Sequence, residues 1–212
     1  MTDKSDGTFT PMPALFESQA LPHADRTGMP DVIDDQVVLL AQAGDRDAIA
    51  TLYETFQRQI YRYLYYRTGE HHAAEDLTAE VFVKLMQGLP NYRRREAPFR
   101  AWLFQIARNQ AIDYYRRKSV RQHSAMSDDL VDPGPAPERL AERRLTHDYL
   151  RSALRRLTPD QCDVVALRFL ADMPVAEVAR VLNKSESAIK NLQLRGLAAL
   201  QQILAARKIT YG

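Results

Sequence analysis

Of 212 residues only one is cysteine, Cys162, so an intramolecular disulfide framework and any multi-cysteine metal site are excluded. No apolar run approaches the roughly 18 residues that a membrane-crossing helix needs. With 26% of the residues charged, a transmembrane protein is excluded. The first ten residues carry Asp3 and Asp6 around no apolar core, which predicts no secretory leader. There is no glycine-rich phosphate loop, no nucleophile–base pair and no ligand cluster with metal spacing, so neither an enzyme nor a cofactor is expected. His71-His72 with Glu75 resembles a fragment of a metal site, but no third ligand stands at the right distance along the chain. Nowhere do apolar and polar residues alternate as in a half-buried strand. An all-α protein is what remains.

Charge is nearly absent as a sum and plentiful as a pattern. The formal net charge is +2, yet residues 1–30 carry −2, 31–88 carry −5, 89–121 carry +7, 122–142 carry −4 and 143–212 carry +6. Either basic block could attract a polyanion, or simply be a solvated helix face.

Helical periodicity places the elements. Residues 1–33, with Pro11, Pro13, Pro22 and Pro30, read as a disordered arm. A short apolar face (Val37, Val38, Leu40, Ala41) ends at Gly44, and Asp45 caps a long helix carrying Ile49, Leu52, Tyr53, Phe56, Ile60, Tyr63 and Leu64 up to Gly69. A third helix carries Ala73, Leu77, Val81, Phe82 and Leu85. The fourth starts at Pro98 and carries Phe99, Trp102, Leu103, Ile106, Ala107 and Ile112. Periodicity then lapses across residues 119–140, where Asp128, Asp129, Asp132 and four neighbouring Pro and Gly residues mark a flexible linker. Helices resume near Glu138, and Thr158-Pro159-Asp160-Gln161 has the form of a capping box opening a helix through Leu170. Two small helical domains, of roughly 85 and 70 residues, are large enough to fold.

The second domain reads as a helix-turn-helix. Met173 to Leu182 form a short helix started by Pro174, Asn183-Lys184 the turn, and Ser185 the cap of a longer helix reaching about Ala206. Val178, Ala179 and Leu182 then face Ile189 and Leu192, leaving Ser187, Lys190, Asn191, Leu194 and Arg195 outward. Lys190 and Arg195 suit phosphate or guanine, Asn191 suits adenine, and Leu194 suits a thymine methyl. A plain helical hairpin has similar spacing. In the first domain Asp76 and Glu80 share one helix side, a pattern that either is solvated or meets a basic partner. Arg93, Arg94 and Arg95 precede Phe99 and Trp102, and Arg108, Asn109, Tyr114, Tyr115, Arg116 and Arg117 follow. Arginines interleaved with aromatics suit single-stranded DNA, through neutralised phosphates and stacked bases. Phe99 and Trp102 fit the core face of their helix equally well, and Asn109 is the better candidate for reading a base. Cys162 occupies an apolar helix position, where a buried thiol is inert.

These motifs, in this order, resemble the extracytoplasmic-function (ECF) group of bacterial sigma factors. The resemblance covers residues 34–206 and rests on AEDLTAEVF (Ala74–Phe82), FRAWLFQIARNQAIDYYRR (Phe99–Arg117) and the stretch Leu157–Leu200. It implies a cytoplasmic transcription initiation factor, with sigma domain 2 at 34–118, a linker at 119–140 and domain 4 at 141–212. It further implies core RNA polymerase as partner: Asp76, Glu80 and Phe82 would dock on the β′ clamp helices, and domain 4 on the β flap. Arg93 to Arg117 would melt the minus-ten element, with Asn109 at a base-contacting position. Lys190, Asn191, Leu194 and Arg195 would read the minus-35 duplex, and the acidic linker would mimic nucleic acid inside the polymerase. An anti-sigma factor is the implied regulator, and no small-molecule substrate is expected. Two departures stand out: Ala79 replaces a common Gln in the docking helix, and Leu192, Gln193 and Leu194 stand where many members carry Arg or His. The rival classes are a stand-alone helix-turn-helix regulator and a protein–protein adaptor.

Overall fold

The computed structural model describes residues 33–124 and 149–208, with side chains over 33–120 and 149–206. The expected N-terminal arm and linker lie outside these residues, apart from Ile33 and the 119–124 stretch.

Helix α1 (Asp35–Gln42) is short, and Asp34 caps it by accepting a hydrogen bond from the Gln36 amide at 3.0 Å. Helix α2 (Arg46–Thr68) opens the same way, with Asp45 accepting from the Ala48 amide at 2.8 Å. Gly69 ends it at φ +80°, a left-handed conformation that costs glycine nothing, and its amide donates to the Tyr65 carbonyl. Helix α3 (His71–Gly88) folds back over α2, and a 3₁₀ turn (Leu89–Asn91) leads toward α4 (Phe99–Ser124). The expected apolar stripe of α2 is the centre of this packing: Leu52, Ile60, Tyr63 and Leu64 are at most 1% exposed. Each such side chain contributes roughly 1.5–3 kcal/mol through removal from water.

The second unit begins, among the described residues, with helix α5 at 149–154. Helix α6 (Pro159–Val165) opens with the expected capping box: Thr158 Oγ1 accepts from the Gln161 amide at 3.4 Å, and the Thr158 amide donates to Gln161 Oε1 at 3.2 Å. It widens into a π-helical turn (Ala166–Leu170) and stops at Asp172, φ +52°. Helices α7 (Val175–Leu182) and α8 (Glu186–Lys208) complete the unit.

Three local expectations differ from the structure. The fourth helix starts at Phe99, with the Pro98 carbonyl accepting from the Trp102 amide at 3.0 Å. It also runs to Ser124 rather than ending at Lys118, because neither glycine nor proline interrupts residues 99–132. Leu40 and Ile112, placed on apolar faces by spacing, are 45% and 40% exposed. The two units also share more than a tether. Helices α2 and α4 pack on the π-helical turn and α7, and one apolar core runs through both.

Candidate nucleic-acid interface

The second unit is a helix-turn-helix in three dimensions. Asn183 makes the turn in the left-handed region at φ +51°, which asparagine tolerates, and Ser185 Oγ caps α8 by accepting from the Ala188 amide at 3.2 Å. Val178, Ala179, Leu182 and Ile189 are buried, and Leu192 packs on them half-buried. Ser187, Lys190, Asn191, Leu194 and Arg195 are all exposed, Leu194 to 69%. Their spacing of three and four puts them on one stripe of α8. Sequence reasoning overlooked Gly196: a Cβ there would stand 3.1 Å from Val165 Cγ2 and 3.5 Å from Gln161 Cβ. Glycine thus lets α8 lie against α6, and its only signal in sequence was a lone glycine inside a helical period.

The basic surface of the first unit is more heavily engaged. Arg93, Arg94 and Arg95 are exposed in the turn before α4, and Arg94 pairs with Asp35. Phe99 is buried between Phe56 and Tyr92, ring centroids 5.7 and 5.5 Å away. It packs the core instead of offering a face to DNA, a correction to its reading as a contact. Trp102 is half-buried against Tyr92 and presses on the Gly88 backbone, where a Cβ would lie 3.0 Å from its ring. Asn109 is exposed. Arg116 pairs with Asp113 at 3.3 Å and Arg117 with Glu80 at 3.7 Å, with both arginine side chains more than half exposed. Tyr114 and Tyr115 turn inward, donating to Glu70 Oε2 at 2.9 Å and to the Arg67 carbonyl.

On α3, Asp76 is exposed and Glu80 half-buried, accepting from Gln110 Nε2 at 2.5 Å. Phe82, expected at a partner surface, is 9% exposed and packs against Tyr53, ring centroids 4.7 Å apart and planes tilted by 58°. Its helix turns that side toward α2, so Phe82 supports the surface from beneath. His71 Nδ1 hydrogen-bonds Tyr61 Oη at 2.6 Å, and no group of three metal-ligating side chains exists among the described residues.

Residues 52–121 match Sigma-70 region 2, and residues 153–202 match Sigma-70, region 4. Over 157 residues the chain is 30% identical to the ECF RNA polymerase sigma factor SigX of Bacillus subtilis, covering 71% of this chain and 80% of that protein. The chain belongs to the ECF sigma factors. It is 38% identical over 171 residues to the ECF sigma factor BldN of Streptomyces coelicolor, covering 80% of this chain and 65% of BldN. Two solved structures share the fold. CnrH in complex with the cytosolic domain of CnrY has a TM-score of 0.65 at 24% identity, covering 82% of this chain and 97% of that one. RpoE of Bartonella quintana with the anti-sigma factor NepR has a TM-score of 0.60 at 20% identity, covering 74% and 96%. As an alternative sigma factor, the protein directs RNA polymerase to promoters. The family works by binding and not by catalysis.

Where regions 2 and 4 of the sigma factor meet, sequence reasoning saw nothing. Asp163 of α6, with no exposed surface, accepts hydrogen bonds from Arg67 Nε at 2.6 Å, Tyr63 Oη at 3.0 Å and Arg108 Nε at 3.0 Å. Burial, reinforced by the Asp163 charge, pushes the Tyr63 hydroxyl well above the ordinary tyrosine pKa. Burial opposes the Arg67 charge, but Asp163 outweighs it and keeps the guanidinium ionised. Beside them the Cys162 thiol is pushed up to about 11 by burial, with Arg67 working the other way. Arg100, 8% exposed, donates to the Ala171 carbonyl, and its Nε lies 4.0 Å from Glu177 Oε2. Gln105 Nε2 donates to the Arg180 carbonyl at 2.9 Å, and Arg151 Nη1 to the Gly69 carbonyl at 2.8 Å.

Proposed function

We propose that region 4 reads the minus-35 duplex through the outward stripe of α8, while region 2 engages and melts the minus-ten element. The exposed stripe carries this reading: Ser187, Lys190, Asn191, Leu194 and Arg195 all face away from a buried Ile189 anchor. In region 2, Arg93, Arg94, Arg95, Arg108, Arg116 and Arg117 neutralise the strand, and Asn109 reads a displaced base beside Trp102. Asp76 and Glu80, backed by Phe82, dock on the β′ clamp helices, and domain 4 (141–212) docks on the β flap. Domain 2 covers 34–118, with α4 continuing past it, and 119–140 is the linker. The protein acts in the cytoplasm without catalysis of its own. An anti-sigma factor binds and regulates it, a reading supported by RpoE of Bartonella quintana, which was solved in complex with the anti-sigma factor NepR.

Transcription reconstituted with core RNA polymerase tests the reading. Promoter-directed transcripts are expected from the wild-type holoenzyme, and Asn109→Ala is expected to impair open-complex formation more than polymerase binding. Equal loss of both would remove the base-reading role. Sequence-specific repression without polymerase, and no initiation with it, would favour a stand-alone regulator.

A further inference from the structure

Three donors of region 2 converge on one carboxylate of region 4. Arg67 Nε and Tyr63 Oη reach Asp163 Oδ1 at 2.6 and 3.0 Å, and Arg108 Nε reaches Oδ2 at 3.0 Å. Two guanidinium groups against one buried carboxylate leave an excess of positive charge. The nearest further acid, Asp160, stands 3.8 Å from Arg108 Nη2 and is already 3.0 Å from Lys184. Two guanidiniums and a phenol converging on two oxygens have the donor arrangement of an oxyanion site. Region 2 itself holds two of the three donors in place. Tyr115 lies under Arg67, 5.3 Å from guanidinium carbon to ring centroid, and hydrogen-bonds the Arg67 carbonyl. Tyr63 packs edge-on against Phe104 at 5.8 Å. Tyr63 and Arg67 are thus held by contacts that do not involve region 4. Exposed Asn109 follows Arg108 on α4, and exposed Arg116 lies two turns further along.

We infer that Tyr63, Arg67 and Arg108 form an anion site on region 2, which Asp163 fills in the closed protein and a backbone phosphate of single-stranded DNA fills in the open one. The carboxylate is an internal competitor for the strand, so closing region 4 onto region 2 withdraws a phosphate site. The inference rests on the reading that region 2 binds a DNA strand.

Fluorescence anisotropy on the full chain tests it with a labelled single strand and the matching duplex. Asp163→Asn, which keeps the side-chain shape and removes the charge, is expected to raise affinity for the single strand about tenfold, the worth of one charge-assisted hydrogen bond. Adding Arg67→Gln is expected to return affinity to the wild-type level. Unchanged binding by Asp163→Asn, a gain confined to the duplex, or a gain that survives Arg67→Gln would each overturn the inference. Should Asp163→Asn not fold, Arg67→Gln and Arg108→Gln are measured in the holoenzyme. There the slope of log affinity against log salt is expected to fall by about 0.7 per arginine for a single-stranded contact, and a wild-type slope would overturn the site. A wild-type holoenzyme that starts no promoter-directed transcript would instead sink the reading of region 2, while strand binding still decides the anion site.

Discussion

The two basic surfaces carry similar net charge and present it differently. Around α8, Lys190 and Arg195 stand exposed, and no ion pair among the described residues holds either of them. On region 2 six of the eight cations between residues 93 and 118 have an acid or carbonyl within reach: Arg94 with Asp35, Arg100 with the Ala171 carbonyl, Arg108 with Asp163, Arg116 with Asp113, Arg117 with Glu80, and Lys118 with Glu70. A surface that must grip duplex DNA can be left in water, because a helix face is already shaped for the major groove. The buried cations of region 2, Arg67 and Arg100, would be costly to leave without a partner. Net charge therefore says where a polyanion is attracted, and pairing says what must first be displaced.

Removing the partner of a buried cation breaks that contrast most sharply. Asp163→Ala leaves Arg67 without a counter-charge and is expected to cost about 3–5 kcal/mol in denaturant melts of the full chain. Lys190→Ala, on the open stripe, should stay within about 0.5 kcal/mol of wild type in the same melts. Equal losses would erase the distinction between a paired and an open surface. Ile189→Ala, one residue away from Lys190, is expected to cost about 2–5 kcal/mol because its side chain is wholly buried.

Binding reverses the order of sensitivity. Lys190→Ala or Arg195→Ala is expected to weaken promoter binding by the holoenzyme by roughly 1–3 kcal/mol if the side chain reads a base edge. A phosphate-only contact would instead lower the salt slope uniformly across sequences. The smallest effect belongs to Glu70. Burial opposes its charge, but hydrogen bonds from Lys118 and Tyr114 draw its carboxyl below the ordinary glutamate range. The resulting stabilisation is present above the unfolded-state pKa and is lost as pH falls through the depressed folded value. Because the side chain is 43% exposed, Glu70→Gln should flatten the acid limb of a melting-temperature profile only slightly. A large change would mean that this part of region 2 is held much as Asp163 holds the interface.

What could be read along the chain was whatever is signalled locally. Asp45, Thr158 and Ser185 announce their helices within three residues, and the apolar stripes of α2 and α7 follow the helical period. The outward stripe of α8 could be read for the same reason: once Ile189 is inward, five positions must be outward. The Asp163 cluster has no such signal, since Tyr63 and Arg67 meet Asp163 across 100 and 96 residues. Nothing in helical period pairs an acid on one helix with arginines on two others. Phe82 and Phe99 show the ambiguity at smaller scale. An aromatic ring serves a partner face or the core with equal chemistry, and only the rings around it, Tyr53 for one and Phe56 with Tyr92 for the other, decide.

Cys162 lies one residue from the carboxylate that joins the two regions, 3% exposed, with its thiol pushed up to about 11. At neutral pH almost none of it is thiolate, and reagents reach it only when the surrounding helices separate. A solitary sulfur in that position is a natural stopwatch. Its alkylation rate, followed by mass spectrometry in the free chain, records how often the two halves part company before polymerase or DNA arrives.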